Sequence, residues 1–215
     1  MIKSNLRGGY ALITGGAGFI GTNLVERLVR DGTEVVILDN FSRSGVERNA
    51  QHLQSLPGGR VHIERDDCRN AKLVSELVSG ATQIFHFAAQ VAVTTSLVDP
   101  VLDFEVNARG VLNVLDAARK LEQRPPLVFT STNKVYGALP GIRLIKANSR
   151  YEPAETSVRN RGVSEAQPLD FHSPYGCSKG AADQYVLDYA RSFGLPTAVF
   201  RMSCIYGPHQ CGNED

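Results

Sequence analysis

Apolar residues in this chain come in short unbroken runs rather than in strict alternation with polar ones. The first is Tyr10-Ala11-Leu12-Ile13-Thr14, which ends in glycines and is followed by a helical pattern over residues 19–30. Further runs stand at 35–38, closed by Asp39-Asn40, and at 61–63, 84–89, 127–130 and 197–200. Such runs, separated by helix-length spacers, predict strands buried on both faces, hence a parallel sheet with helices on each side. The helical spacers are clearest at 101–120 and 175–193, each closed by a breaker, Pro125 and Gly194-Leu195-Pro196. The pattern therefore predicts the α/β class with a doubly wound parallel sheet.

One stretch breaks the rhythm. Between Gly137 and Ser173 no period is sustained, over a length too great for an ordinary turn. It carries Arg143, Lys146, Arg150, Arg159 and Arg161 against Glu152 and Glu155. A solvated loop and a wall for an anionic ligand both fit that composition.

Composition excludes more than it assigns. At 215 residues the chain can bury a sizeable core without a disulfide or metal staple. Lys plus Arg (23) and Asp plus Glu (22) leave a net charge of +1, which argues against a nucleic-acid partner and an acidic disordered tail. No run is long enough to span a membrane, and the start lacks the pattern of a secretory signal. Cys68, Cys177, Cys204 and Cys211 have neither CxxC spacing nor the histidine pairing of a zinc site. They read as reduced thiols of a cytoplasmic protein, with no metal expected.

The turn after the first run is where chemistry enters. Gly15, Gly18 and Gly21 are spaced three apart between a buried strand and a helix. A tight turn of that kind brings backbone N–H groups against a pyrophosphate at a helix N-terminus. Asp39 ends the second run, where a carboxylate can accept both ribose hydroxyls of a dinucleotide and would repel a 2′-phosphate. NAD is thereby favoured over NADP, although Arg43 nearby keeps the latter open. On the 175–193 helix, Tyr175 and Lys179 are four apart and share a face. Bringing a phenol from about 10 to about 7 takes roughly 4 kcal/mol, which an adjacent ammonium and a cationic nicotinamide can supply. Ser131-Thr132 closes the fifth run.

Together these residues carry a family resemblance. TGGAGFIG (14–21), DN (39–40), DCRN (67–70), HFAAQ (86–90), Asn107, STNKVYG (131–137), YGCSK (175–179) and RMSCIYGP (201–208) occur in the order of the extended short-chain dehydrogenases/reductases. The chain resembles the NAD-dependent nucleotide-sugar epimerases and dehydratases of that class, with a Rossmann-type fold. STNKVYG and LDFHSPYGCSKGAADQY (169–185) are most similar to the CDP-paratose 2-epimerase subgroup. The resemblance implies that Thr132 hydrogen-bonds the reacting sugar hydroxyl, that Tyr175 is the base, and that Lys179 binds the nicotinamide ribose and lowers the tyrosine. It implies Gly15, Gly18, Phe19 and Ile20 under the pyrophosphate and Asp39 with Asn40 on the adenine ribose, with Ser42 and Arg43 beside them. Asp67 and Cys68 would meet the adenine edge, and Phe87, Ala88, Ala89 and Gln90 would lie along the cofactor. Asn107 reads as a helix-packing residue.

The related 4,6-dehydratases carry Thr-Asp-Glu where this chain has Thr132-Asn133-Lys134, so the acid and base that remove water are missing. The expected reaction is epimerisation of a nucleotide sugar: CDP-paratose to CDP-tyvelose at C2, or inversion at C4 of a UDP-sugar. A dinucleotide-binding module without turnover is the third possibility. Residues 1–208 are expected to form the NAD-binding unit and 209–215 the start of a C-terminal substrate-binding portion that the chain lacks. A homodimer is expected through helices 101–120 and 175–193, using Val111, Leu112, Val114, Leu115, Ala182, Tyr185, Val186 and Tyr189.

Overall fold

β1 (Tyr10–Thr14) is buried at every position, because helices cover both of its faces. The computed structural model describes residues 9–211; residues 1–8 and 212–215, which belong to the expected units 1–208 and 209–215, lie outside the described residues. After β1 the chain alternates through α1 (Phe19–Arg30), β2 (Val35–Asp39), α2 (Val46–Gln54), β3 (Val61–Arg65), α3 (Ala71–Val78) and β4 (Ala81–His86). Next come α4 (Val93–Val98), α5 (Pro100–Phe104), a π turn over Glu105–Arg109 and α6 (Gly110–Arg119). β5 (Leu127–Thr132) runs into a 3₁₀ turn over Asn133–Tyr136. A hairpin of β6 (Leu144–Lys146) and β7 (Tyr151–Pro153), α7 (Thr156–Arg161), α8 (Ser173–Phe193) and β8 (Thr197–Met202) complete the order.

The six long strands pair in parallel in the order β3-β2-β1-β4-β5-β8. This is the doubly wound, Rossmann-type sheet that the apolar runs predict, with its reversal of strand order between β1 and β4. Successive strand residues serve opposite faces. Leu12, Val36, Ile84 and Phe129 pack with Val114, Leu115 and Val186, while Ile13, Val35 and Ile37 pack with Val25, Val29 and Leu53. Among the described residues, no helix is long and apolar enough to cross a membrane.

Four details depart from the pattern. The fourth strand ends at His86, not Ala89, because the backbone at Ala88 is drawn against Gly15. The 101–120 helix is interrupted by the π turn, which inserts a wider coil between α5 and α6. The 137–173 stretch is structured: Arg150 pairs with Glu152 at 2.8 Å and Arg159 donates to Pro153 O, so two of its basic residues hold the hairpin together. Finally, Val111, Val114, Leu115, Ala182, Val186 and Tyr189 are buried in the core rather than spare. Exposed apolar positions on these and the adjoining helix include Leu97, Val98, Val101 and Phe104, together with the expected Tyr185 on α8.

Candidate active site

The glycine turn between β1 and α1 sits at the sheet's reversal point. Gly15 takes φ +67°, and a Cβ there would stand 2.6 Å from Ala88 N, so only glycine fits. A Cβ at Gly21 would lie 2.5 Å from Gly15 O, which is how α1 packs directly on the turn. At Gly18 only Gly15 O comes near, at 3.2 Å, so the outer side of the turn can be approached closely. Gly18 is the N-cap of α1 and no side chain caps it, leaving the first N–H groups beside Phe19 and Ile20 available to an anion.

Asp39 faces this turn from the end of β2. Its Oδ2 accepts from Ala17 N at 3.1 Å and its Oδ1 from Phe41 N at 3.0 Å. Burial raises its pKa, against those two bonds and the charge of Arg65. Each oxygen keeps a second acceptor direction, enough for a pair of vicinal hydroxyls. Asn40 takes Ser42 N on its Oδ1 and donates to Asp67 Oδ2 at 2.7 Å. Ser42 and Arg43 are exposed beside it. A dinucleotide fits this set: a glycine-rich turn with an uncapped helix start for the phosphates and a carboxylate for the ribose.

Asp67, expected on the adenine edge, is already engaged. Arg69 holds both of its oxygens, Nε and Nη2 at 2.9 Å each, while Asn40 takes Oδ2 as well. Burial would raise the Asp67 carboxyl, but these donors outweigh it and hold it at about 2. An adenine amino group could reach it only in exchange for one of them. Cys68 is buried, its thiol pushed up to about 12 by burial first and by the Asp67 charge second, so it is inert.

Phe87 N donates to Thr14 O at 3.0 Å and Ala88 N to Thr14 Oγ1 at 3.3 Å, which lays residues 87–90 across the floor of the turn. Thr14 Oγ1 lies 2.8 Å from His86 Nδ1. His86 is neutral, its pKa pushed down to about 3 by burial and by Lys179, and its Nε2 has no partner among the described residues. Gln90 N donates to Asn107 Oδ1 at 3.0 Å, and Asn107 Nδ2 donates to Asp103 and to Ser178 on α8. Asn107 thus packs helices together and also fixes the loop.

Thr132 ends β5, its Oγ1 accepting from Lys134 N at 3.2 Å, and α8 places Tyr175 at the same end of the sheet. Burial raises the Tyr175 phenol, the Thr132 hydroxyl pulls it down and the Asp103 carboxylate raises it, with a net rise. The expectation that Lys179 lowers the tyrosine is not met in this arrangement. Lys179 Nζ donates to Thr130 O at 2.7 Å over the Phe129 ring, and burial pushes its pKa down to about 7. Two groupings escaped the sequence reading because their members are distant in the chain. One is Arg201, which forks onto the buried Asp183 at 2.9 and 2.8 Å and reaches Tyr136 Oη at 2.8 Å. The other is Glu26, His52 and His209, whose ligand atoms lie within 4.8 Å of one another.

The family model for GDP-mannose 4,6 dehydratase matches residues 12–214. The chain belongs to this family. Members similar to it include the CDP-paratose 2-epimerase of Salmonella typhi, 45% identical over 206 residues, covering 95% of this chain and 60% of the relative. Among solved structures, UDP-glucose 4-epimerase of Thermus thermophilus in complex with NAD superposes with a TM-score of 0.73 at 36% identity, covering 94% and 57% of the two chains. A dTDP-glucose 4,6-dehydratase of Streptomyces venezuelae with NAD bound gives 0.75 at 30% identity over 94% and 57%. The chain thus spans about 60% of the length of the curated family member it matches at 45% identity.

Proposed function

We propose that the chain carries the cofactor and catalytic portion of an NAD-dependent nucleotide-sugar epimerase, with CDP-paratose as substrate and inversion at C2. The observation that carries this reading is the seating of α8 on the end of β5, where Lys179 Nζ donates to Thr130 O at 2.7 Å, so that Tyr175 and Thr132 stand at the end of the sheet that also bears the glycine turn and Asp39. In this reading Gly15, Gly18, Phe19 and Ile20 hold the pyrophosphate, and Asp39 with Asn40 holds the adenine ribose. Ser42 and Arg43 flank that ribose, Asp67 and Cys68 border the adenine, and residues 87–90 line the cofactor's other side. Bound there, NAD would supply the hydride acceptor for oxidation of one sugar hydroxyl and, once reduced, the hydride donor for its re-reduction.

The chain's own groups manage the proton. Thr132 Oγ1 orients the sugar hydroxyl and Tyr175 Oη takes its proton. Because burial and Asp103 hold the free phenol protonated, the drop in its pKa depends on positive charge arriving beside it. Lys179 contributes only if its ammonium turns from Thr130 O toward the cofactor ribose. No carboxylate follows Thr132: Asn133 is half-buried and Lys134 exposed, which supports epimerisation over loss of water. The 45% identity to a CDP-paratose 2-epimerase favours C2, while the similarity to a UDP-glucose 4-epimerase supports C4 inversion as the second reading.

We assign residues 1–208 to the NAD-binding unit and 209–215 to the start of a substrate-binding portion. Pairing through α5 and α8 is assigned to the apolar positions that the structure leaves exposed. Four unpaired cysteines support a reducing, cytoplasmic setting.

Product analysis by NMR after incubation with CDP-paratose, and separately with UDP-glucose, tests the reading. CDP-tyvelose is the expected product, and Tyr175→Phe should cut the rate by about 10²–10⁴ while leaving NAD bound. Inversion of UDP-glucose alone supports the C4 reading. Retained NAD without turnover of either sugar supports a binding module.

A further inference from the structure

Three side chains outside the proposed active site converge from three separate segments. Glu26 comes from α1, His52 from α2 and His209 from the chain after β8. His52 Nε2 lies 2.5 Å and His209 Nε2 lies 3.1 Å from the same atom, Glu26 Oε1. The two rings stack, with centroids 4.9 Å apart and planes 23° from parallel. We propose that Glu26, His52 and His209 form a binding site for one divalent transition-metal cation, zinc above all, with a fourth position open to water.

The donor chemistry selects the cation. Two imidazole nitrogens and one carboxylate oxygen suit borderline ions, whereas calcium and magnesium take shells of oxygen. The same three ligand types with one open position occur in zinc sites generally. Metal–ligand bonds of about 2.0–2.1 Å in a tetrahedron separate ligand atoms by about 3.3 Å. The separations from Oε1 are 2.5 and 3.1 Å and all three ligand atoms lie within 4.8 Å of one another, so the stacked imidazoles must rotate toward a common point to reach that value.

The supporting frame points the same way. Both imidazoles aim at one oxygen rather than sharing the two that a carboxylate offers, which is the convergence a single ion requires. His209 takes φ +66°, a left-handed conformation uncommon outside glycine, and so presents its ring toward the helices. Its carbonyl accepts from Asn49 Nδ2 at 3.1 Å, and Pro208 O accepts from Asn23 Nδ2 at 2.9 Å. These amides come from the same two helices that supply Glu26 and His52, so each ligand is held by its neighbours' element. The side chains of Glu26, His52 and His209 are 26%, 41% and 24% exposed, which leaves the ion a path from solvent.

A cation there staples the segment after β8 to α1 and α2. Asn49 also donates to Ala17 O at 3.0 Å, so the staple and the glycine turn share one amide. The result is a link between metal occupancy and the order of the turn.

Calorimetric titration of the chelator-stripped chain with Zn²⁺, and absorption spectroscopy with Co²⁺, test the site. One cation per chain is expected, and at a hundredfold excess over Kd it should raise Tm by roughly 5–10 °C, reversibly with EDTA. Co²⁺ should give the ligand-field bands of nitrogen and oxygen donors. His52→Ala and His209→Ala should each weaken binding on the order of a hundredfold, and Tyr175→Phe should leave it unchanged. Glu26→Gln preserves the shape of the site, so a tenfold or greater loss in that variant excludes a mere folding defect. Absence of binding overturns the proposal, as does binding that survives all three ligand substitutions. A thiolate charge-transfer band would also overturn it by assigning the metal to Cys211, whose Sγ lies 3.9 Å from His209 O.

Discussion

Lys179 carries its ammonium into a site that is 3% exposed, with Thr130 O and the face of Phe129 as its immediate contacts. Burial pushes its pKa down to about 7, although Asp183, Asp103 and Cys68 pull the other way. Below pH 7 both folded and unfolded chains hold this proton, and the folded one bears the full desolvation penalty. Between about 7 and the ordinary lysine value the folded chain has released the proton while the unfolded chain keeps it, so stability rises with pH. Lys179→Met should therefore be more stable than the parent by roughly 2–4 kcal/mol at pH 6, after loss of the Thr130 bond. Urea denaturation should show that gap closing by pH 10, and a gap independent of pH would sink the electrostatic account. At this scale the sequence was legible wherever partners are close in the chain. Gly15, Gly18 and Gly21 are visible from spacing, as are Asp39 at a strand end and the Tyr175–Lys179 pair. The grip of Arg69 on Asp67 is not announced, because Arg69 is an ordinary-looking neighbour. His86 against Thr14, Arg201 against Asp183 and Glu26 between two histidines were invisible, since only the fold brings them together.

β8 and α8 are joined by a fork that no local pattern announces. Asp183 is fully buried and Arg201 holds both of its oxygens. Burial alone would raise the Asp183 carboxyl, but the guanidinium keeps it below the ordinary value. Arg201→Ala would strand a buried carboxylate at a cost of about 3–5 kcal/mol, read as a lower urea midpoint at pH 7. That loss should shrink as acid protonates the stranded Asp183, and Arg201→Lys, which keeps charge without the fork, should lose less. Equal midpoints for parent and alanine variant would show the pair to be idle. The six sheet strands and the long helices follow from apolar runs and breakers because burial on both faces imposes them. β6 and β7 escaped because each has only three residues, too few to carry an apolar period. The π turn escaped because an inserted residue shifts the helical phase without removing the apolar stripe.

The whole molecule leaves an apolar surface uncovered along α4, α5 and α8: Leu97, Val98, Val101, Phe104 and Tyr185. A second copy of the chain pairing through that surface should run as a dimer in light scattering, and Val98→Glu with Val101→Glu should make it a monomer. A parent that is monomeric at all concentrations would remove the dimer from the proposed function. Of the apolar positions expected to pair on helices 101–120 and 175–193, Tyr185 is exposed, while Val111, Val114, Leu115, Ala182, Val186 and Tyr189 are taken by the core.

The close approach of Gly15 to Ala88 has a kinetic corollary. The floor of the glycine turn comes from the residues after β4, a strand separated from β1 along the chain by β2, β3 and three helices. A nascent or refolding chain therefore has no finished cradle until this distant pairing is made, and such non-local pairings close late. A dinucleotide that recognises the cradle can stabilise only what already exists. Added to refolding chains it should leave the folding rate unchanged, and in stopped-flow measurements it should act by slowing unfolding. The cofactor would be a lock on the native state and not a template for reaching it.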